Sequence, residues 1–410
     1  MNNSPAGEPT TKSEITSTAL VVGDRSKESF GAFAGRRDAP RILFLGEAWG
    51  EEESKIKSPF VGWAGKELFL MLGEALPGLE PELHAAARAM QRYDLAWRRP
   101  RDEWCDASGI ALTNVFNTRP EDNKIENLCG TKAEASGGYG LGPLARTKYL
   151  LPQHFHHLNR LEAELLATRP NLVVCLGNTA LWALTGSGNI GTVRGTVREG
   201  ELGAWKGKIL PTYHPAGVLR QWEWRVICIA DLAKAWRESR SPELTRPCRQ
   251  ILVSPTLAEI RSTLNAWRGR ISLDRGLRLS ADVETAQGQV TCIGFALTRA
   301  EALVIPLWDK KKPGWHYWPS FAEEREVFDL IEGFLQLDCD KVFQNGMYDL
   351  QYILPMGIRP TRLGLDTMLR HHALFPELQK GLGFLGSIYT SEPAWKLMRR
   401  KRPDTEKRDE

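Results

Sequence analysis

The sequence predicts an α/β protein made of two units in succession, the first a three-layer unit with a parallel sheet between helices. Three observations support this class. A short apolar run at 41–45 is followed by a glycine-flanked loop and then a helical pattern. A second apolar run at 172–176 leads directly into another helical pattern. The composition changes at 239–249, and a new alternation of strand and helix patterns begins at about residue 250.

The chain, at 410 residues, is too long for one ordinary domain. Its first residues are rich in Ser, Thr, Gly, Pro and charge without periodicity, which is typical of a flexible segment. The segment SRSPELTRPCR holds two prolines among charges and predicts a boundary. We therefore expect five parts: a leader at 1–38, a first unit at 39–240, a linker at 241–249, a second unit at 250–398 and a charged tail at 399–410.

The net charge of +4 and the pI near 8.6 mildly favour an anionic partner. The sequence contains no apolar run of transmembrane length, and its start lacks the apolar core of a signal peptide. We expect a soluble protein without a membrane partner, located in the cytoplasm, or in the host cytoplasm if the gene is phage-encoded.

The seven cysteines are scattered and form no C-x-x-C pair; they stand at 105, 129, 175, 228, 248, 292 and 339. This spacing predicts neither disulfides nor a zinc site. Cys175 and Cys228 lie inside apolar runs and are interpreted as core residues.

The remaining elements of the first unit follow from apolar periodicity and from cap residues. Glycine-rich polar residues at 121–143 predict a long loop, which could close over a ligand or be a disordered insertion. Strands are predicted at 109–115, 172–176 and 208–211, and helices at 150–168, 177–184 and 222–239.

The loop after the first strand carries the motif GEAWG and, further on, PFVG. In a parallel sheet such a loop lies at the carboxyl edge, where α/β folds bind ligands. Phe60 stands on this loop between Pro59 and Val61, where an aromatic ring has little packing reason to be. This favours a site in which a planar ligand stacks on the ring. The alternative is an ordinary surface loop with one solvated glutamate, Glu47.

Two more polar side chains follow strand patterns. Asn114 ends the run in ALTNVF, and His214 follows the run in ILPTYH. Each has a purely structural alternative, because Asn114 could cap a turn and His214 could be a satisfied structural histidine.

Taken in chain order, GEAWG, PFVG, TN and HPA, together with RPNLVVCLGNTALWAL, resemble the uracil-DNA glycosylase superfamily, in particular its family-four branch. The resemblance covers roughly 41–239. It implies that Phe60 stacks on a uracil flipped out of DNA and that Asn114 pairs with the O4 and N3–H edge of that base. It implies that His214 donates to O2 as charge develops and that Glu47 orients water or stabilises an oxocarbenium ion. Gly46 would allow close approach of the backbone.

The segment after His214 resembles the intercalation loop of that superfamily. Leu219 is then the candidate wedge for the vacated base stack, and Arg220 a candidate phosphate contact. Family-four enzymes also carry four cysteines that ligate an iron–sulfur cluster. Here no cysteine precedes position 105, and Thr118 stands where the resemblance places one ligand. We therefore predict no iron–sulfur cluster and no cofactor for this unit.

The second unit contains a D-x-E in LRLSADVETAQGQVTCIGFAL, a strand–turn–strand pattern. Asp282 and Glu284 are two apart in the strand and share one face, which suits divalent metal ions. A solvated edge strand is the commoner case. With Asp349 in KVFQNGMYDLQYIL and Asp366 in GLDTML, however, the pattern resembles the RNase H-like 3′–5′ exonuclease domain of phage-type family A DNA polymerases.

That resemblance implies Mg²⁺ or Mn²⁺ on Asp282, Glu284 and Asp349, and a mainly structural role for Asp366. The third exonuclease motif is missing, so we expect an incomplete domain that is weakly active, that holds DNA, or that another chain completes. A DNA polymerase or replisome is the expected protein partner.

The first hypothesis is therefore a uracil-DNA glycosylase fused to an exonuclease-like unit, with uracil-containing DNA as its substrate. The rival enzyme is a metal-dependent nuclease whose first unit only binds DNA. The rival without catalysis is a module that senses uracil or tethers a replisome.

Overall fold

The computed structural model describes residues 32–79, 81–82, 85, 98–135 and 139–393. Most of the predicted leader and all of the predicted tail lie outside the described residues. The described chain contains two six-stranded sheets, one in each half. The predicted α/β class is confirmed.

The first sheet has the order β1-β3-β2-β6-β8-β7. Its four central strands are parallel, and the edge strands β1 and β7 are antiparallel to their neighbours. The central strands are apolar and buried over nearly their whole length, as expected for a sheet covered on both faces. The strands are β1 (Ala34–Gly35), β2 (Ile42–Ala48), β3 (Ile110–Phe116), β6 (Leu172–Leu176), β7 (Arg198–Leu202) and β8 (Trp205–Thr212).

Helices cover both faces of this sheet, and each face has its own apolar core. One core contains Leu68 and Phe69 of α2 with Leu232 of α8, and the other contains Leu161 of α4 with Trp182 of α5. The predicted three layers are thus present. The helices are α1 (Glu51–Ile56), α2 (Trp63–Ala75), α3 (Arg98–Ala107), α4 (Phe155–Thr168), α5 (Gly177–Thr185), α6 (Ile190–Val193), α7 (Pro215–Val218) and α8 (Trp224–Glu238).

The structure differs from the sequence prediction at two places in this half. β1 falls within the predicted leader yet pairs with β3, so the sheet begins before residue 39. The predicted helix at 150–168 begins only at Phe155, because Leu150 belongs to β5 (Tyr149–Leu150). β5 pairs with β4 (Cys129–Gly130) and so ties the middle of the predicted loop at 121–143 to the residues that precede α4.

The second sheet has the order β14-β13-β10-β11-β12-β9. β10, β11 and β12 form an antiparallel meander, and the other pairings are parallel. This mixed sheet with helices is the RNase H-like α/β arrangement that was predicted. The elements are β9 (Gln250–Val253), α9 (Leu257–Leu273), β10 (Leu279–Ala286), β11 (Gln289–Thr298), β12 (Glu301–Pro306), α10 (Phe321–Leu335), β13 (Lys341–Phe343), α11 (Gly346–Ile353), β14 (Leu365–Asp366), α12 (Thr367–Leu374) and α13 (Leu382–Tyr389).

The two halves touch through α13, which packs against α8 of the first half. The buried ammonium group of Lys234 donates to the backbone carbonyls of Gly195 (2.8 Å), Thr390 (2.5 Å) and Ser387. Burial lowers the pKa of Lys234 to about 8. A buried cation is tolerated only when its donors are satisfied, and here the second half supplies two of the acceptors.

A buried ion pair lies beside this lysine. Arg194 and Asp231 approach to 2.5 Å, and Arg194 also donates to the Ser387 hydroxyl at 2.9 Å. Asp231 accepts from the Thr212 hydroxyl at 2.7 Å, at the carboxyl end of β8. A chain of polar contacts therefore runs from α13 to the strand that leads to His214. In the described part of the chain, no helix combines the length and apolar character needed to cross a bilayer.

Candidate active site

A cavity of about 530 Å³ opens at the carboxyl edge of the first sheet. Parallel strands end at the same edge, so residues distant in sequence meet there. The cavity is lined by five of the sequence-predicted residues: Glu47, Phe60, Asn114, His214 and Arg220. The interpretation of these segments as one site agrees with the geometry.

Gly46 packs directly against Asn114 and Phe60, where a side chain could not be accommodated. A Cβ at this position would lie 2.1 Å from Oδ1 of Asn114 and 2.7 Å from Cζ of Phe60. Both distances are below any real Cβ contact, so a larger residue would displace the two side chains. The glycine therefore allows Asn114 and Phe60 to approach each other.

Phe60 lines the cavity, but the premise that its ring has little packing reason is wrong. The side chain is only 4% exposed and belongs to the core cluster that contains Phe69 and Val61. Its backbone is left-handed, with φ of 53°, which is uncommon for a bulky residue. The ring is thus fixed by packing, and the strained loop must be held by its neighbours.

Two buried charged residues that the sequence did not reveal hold this loop. The carboxylate of Glu53 accepts from the amides of Val61 (3.0 Å) and Gly62 (2.9 Å). The guanidinium of Arg101 donates to the Pro59 carbonyl at 2.8 Å and to the Ser58 hydroxyl at 3.0 Å. These charge-assisted hydrogen bonds satisfy the loop backbone and position Phe60.

Asn114 is 3% exposed and lies within β3, so the alternative of a turn cap is wrong. Among the described residues its carboxamide has no hydrogen-bond partner, which leaves a donor and an acceptor for a ligand. Its backbone carbonyl accepts from Arg160 of α4 at 2.6 Å. Arg160 is paired in turn with the buried Glu164 at 2.7 Å, so an ion pair on α4 supports this strand end.

His214 is the N-cap of α7, and its Nδ1 accepts from the amide of Ala216 at 3.1 Å. In the neutral ring this contact places the proton on Nε2. Burial, and next the charge of Arg220, lower the pKa of His214 to about 4. The imidazole is therefore neutral at physiological pH, with a structural hydrogen bond on one nitrogen and a donor on the other. Gly177 makes room for it, since a Cβ there would lie 3.0 Å from Cβ of His214.

Glu47 is partly buried, and burial raises its pKa. The hydroxyl of Thr179, at the start of α5, donates to its carboxylate at 2.5 Å and opposes that rise. Arg220 acts in the same direction as Thr179. Like Glu53 and Arg101, Thr179 was not predicted from the sequence as a site residue. The segment GNT was interpreted only as a helix cap.

The residues that follow His214 form the rim of the site. Leu219 is 45% exposed, which is unusual for a large apolar side chain and fits the predicted wedge. Arg220 is exposed and lines the cavity. Trp63 also lines the cavity and is exposed, with the Lys66 ammonium 4.6 Å from its ring centroid.

The cysteines do not fit a four-cysteine iron–sulfur cluster. Cys105 and Cys228 belong to the apolar core on one face of the first sheet, and Cys129 and Cys175 belong to the core on the other. Four ligands of one cluster must converge on one point, which the sheet prevents here. Within the described ranges, no group of three or more His, Cys, Asp or Glu side chains is arranged to hold a metal ion.

The acidic residues of the second half are partly brought together. Asp282 and Glu284 are exposed on one face of β10, as predicted. Asp349 is buried and accepts from the amide of Val283 at 2.9 Å. Burial, and further the charge of Asp282, raise the pKa of Asp349 to about 6. Asp366 caps α12 and binds the amide of Gly346 at 2.7 Å, which is a structural role.

The chain is similar in sequence to known proteins. The profile of the uracil DNA glycosylase superfamily matches residues 34–239, half of the chain. A type-4 uracil-DNA glycosylase of Archaeoglobus fulgidus is 29% identical over 212 residues, which cover 50% of this chain and 80% of that protein. The type-4 enzyme of Thermotoga maritima is 28% identical over 225 residues, covering 54% and 83%.

Two solved structures show weaker likeness. Escherichia coli RNase D has a TM-score of 0.25 and 15% identity, with 38% of this chain and 39% of that chain covered. The catalytic core of RRP6 from Trypanosoma brucei has a TM-score of 0.27 and 16% identity, covering 40% and 43%. Scores this low carry no conclusion. The profile match spans every residue that lines the cavity, and the chain belongs to the uracil DNA glycosylase superfamily.

Proposed function

We propose that the first half removes uracil from DNA by hydrolysing the bond between the base and deoxyribose. One observation carries this proposal. The carboxamide of Asn114, the fixed ring of Phe60 and the neutral imidazole of His214 line one cavity. The names of the type-4 relatives support the same activity.

Recognition of the base would rest on Asn114 and Phe60. A base must leave the stack to enter the cavity, at a cost of a few kcal/mol. Phe60 offers a ring for stacking, and Asn114 offers a donor for O4 and an acceptor for N3–H. Cytosine presents the reverse pattern at both positions, so a carboxamide held in one orientation rejects it.

The chemical step would rest on His214 and Glu47. Negative charge develops on O2 as the base departs, and a neutral imidazole with its proton on Nε2 can donate to that oxygen. A carboxylate nearby stabilises the positive charge that develops on the sugar or orients the attacking water. Thr179 favours the ionised form of Glu47 by donating to it.

Contacts with the rest of the DNA would come from the rim. Leu219, which is exposed, would fill the space that the flipped base leaves, and Arg220 would bind a neighbouring phosphate. The charge of Arg220 lies close enough to lower the pKa of His214. A phosphate bound to Arg220 would therefore also screen the effect of the guanidinium charge on His214.

The experiment is an assay of free uracil released from a uracil-containing oligonucleotide, with and without EDTA. Cleavage of the strand after alkali reports the abasic sites independently. We expect uracil release that is insensitive to EDTA in the parent and lost in F60A and H214A. Binding that depends on uracil but yields no free base would instead support a sensing module.

A second candidate activity concerns the second half, where Asp282 raises the pKa of the buried Asp349. Two carboxylates that repel each other attract a cation, and Glu284 lies on the same strand face as Asp282. Among the described residues these three side chains do not form a ready metal-binding group, so a cation would bind weakly. Mg²⁺ or Mn²⁺ would supply Lewis-acid chemistry for phosphodiester hydrolysis. We propose slow 3′–5′ exonuclease activity at this place, in association with a DNA polymerase or replisome. Magnesium-dependent release of mononucleotides that D282A abolishes is the expected result, and release unchanged in D282A removes the proposal.

A further inference from the structure

The segment that follows β12 combines three adjacent lysines with four aromatic residues. We call residues 308–318 the lysine–tryptophan loop. Its aromatic members are Trp308, Trp315, Tyr317 and Trp318, and its lysines are Lys310, Lys311 and Lys312.

This loop is held in one shape by its own hydrogen bonds. The amide of Asp309 donates to the carbonyl of Trp315 at 2.8 Å. At its base the buried Trp318 donates through Nε1 to the Pro306 carbonyl at 2.9 Å. A loop fixed at both ends presents its side chains in a defined arrangement, which lowers the entropic cost of binding.

The outward side of the loop is cationic and aromatic. Lys310, Lys311 and Lys312 are exposed, and Trp315 is 42% exposed although it packs edge-on against Trp308 at 5.0 Å. Two carboxylates lie nearby: Asp309 accepts from the amide of Lys311, and Glu324 lies 3.1 Å from His316. Lys312 also donates to the Tyr317 carbonyl at 2.5 Å. The three lysine charges outnumber the two carboxylate charges on this face.

A cavity of about 490 Å³ lies beside the loop, between the turn of the β10–β11 hairpin and α11. Its lining includes Trp308, His316, Phe328 and Tyr352. Tyr352 lies 5.3 Å from Tyr348 of the same helix, and the Tyr348 hydroxyl is 2.5 Å from that of Thr285 on β10. Aromatic rings thus continue from the lysine–tryptophan loop to the strand that carries Asp282 and Glu284.

We infer that the lysine–tryptophan loop and this cavity bind single-stranded DNA. Lysines attract the phosphate backbone, and exposed aromatic faces stack with bases of any identity. A single strand is the occupant that fits, because paired bases in a duplex do not offer their faces to Trp315 or Tyr352. The site lies in the other half from Phe60 and does not depend on uracil excision.

The test measures the binding of a fluorescein-labelled, uracil-free oligothymidylate of about 16 nucleotides to the whole chain by anisotropy at several salt concentrations. K310E/K311E should weaken binding and reduce the steepness of its salt dependence by about 1.4 in the log–log slope. W315A should raise Kd about fivefold or more, and W315F should restore most of the affinity.

The matched control is K206E/R268E, the same charge change at exposed residues of β8 and α9. It should bind the oligonucleotide much as the parent does. The inference is overturned if K310E/K311E and W315A bind as tightly as the control. It is also overturned if duplex DNA binds as tightly as the single strand and W315A affects neither, because the lysines then act only as a phosphate-binding surface. Thermal melting and uracil release from a short oligonucleotide identify variants that fail to fold.

Discussion

The amide of Ala216 donates a hydrogen bond to Nδ1 of His214, and this single contact decides what the histidine can do. It fixes the remaining proton on Nε2, so the ring is a donor toward a ligand while it stays neutral. With its pKa lowered to about 4, the imidazole does not supply a full proton near neutral pH. Its role is that of a preorganised hydrogen-bond donor.

Replacing that donor should slow the chemical step. H214A should lower the single-turnover rate of uracil release by about a hundredfold or more, the scale of losing one such donor. Affinity for uracil-containing DNA should change little. A rate within a few-fold of the parent would remove His214 from the mechanism.

The same histidine predicts a pH effect on stability. Its folded pKa of about 4 lies below the ordinary value of 6.5, so the unfolded chain binds more protons between these values. The stability that the neutral ring contributes is present above pH 6.5 and is lost as the pH falls toward 4. Urea unfolding of the parent and H214A over this range should show a smaller pH dependence in the variant.

Asn114 should set the choice between uracil and cytosine. In N114D the carboxylate no longer donates to O4 of uracil but can accept from the amino group of cytosine, so the ratio of uracil to cytosine excision should fall. N123D makes the same charge change at the rim of the cavity and serves as the control. Unchanged uracil excision in N114D, measured with paired substrates, would place recognition elsewhere.

Thr179 should tune the carboxylate of Glu47. T179V removes the hydroxyl that stabilises the ionised form, so the pKa of Glu47 should rise further. The acidic limb of the kcat/KM profile should then move to higher pH, and T179S should return it to the parent position. A profile that does not move in T179V contradicts the positioning role, whatever happens to the absolute rate.

The purified protein should be colourless and free of stoichiometric iron. The cysteine pairs lie in cores on opposite faces of the first sheet and do not converge. Iron analysis and the visible absorption spectrum check this directly. About four irons per chain, the number in a [4Fe–4S] cluster, with a brown colour would show the prediction to be wrong.

The sequence was sufficient to predict which polar residues lie together at the ends of the parallel strands. Glu47, Asn114 and His214 follow apolar runs, and parallel strands bring such positions to one edge. It was insufficient where a contact depends on tertiary distance. Arg101 reaches Pro59 across 42 residues, and Thr179 reaches Glu47 across 132. No local pattern distinguishes such residues from an ordinary surface arginine or helix cap.

Phe60 shows another limit of prediction from the sequence. Its place on a loop suggested a ring without packing, yet the ring is part of the core and also a wall of the cavity. The aromatic residue correctly indicated a cavity wall, but the argument that its ring lacks packing partners was wrong. The late start of α4 has a similar origin, because Leu150 continues a helical pattern but pairs with Cys129 in a short sheet.

The docking of α13 on α8 bears on how the chain can be divided. A cut in the 241–249 segment would leave Lys234 without the acceptors that Ser387 and Thr390 provide, and Arg194 without the Ser387 hydroxyl. In an isolated first half, the Lys234 ammonium would lose two of its hydrogen-bond acceptors. It lies next to the ion pair of Arg194 and Asp231, which contacts Thr212. The 241–249 segment therefore does not separate two independently folding domains. The two halves should melt in a single cooperative transition.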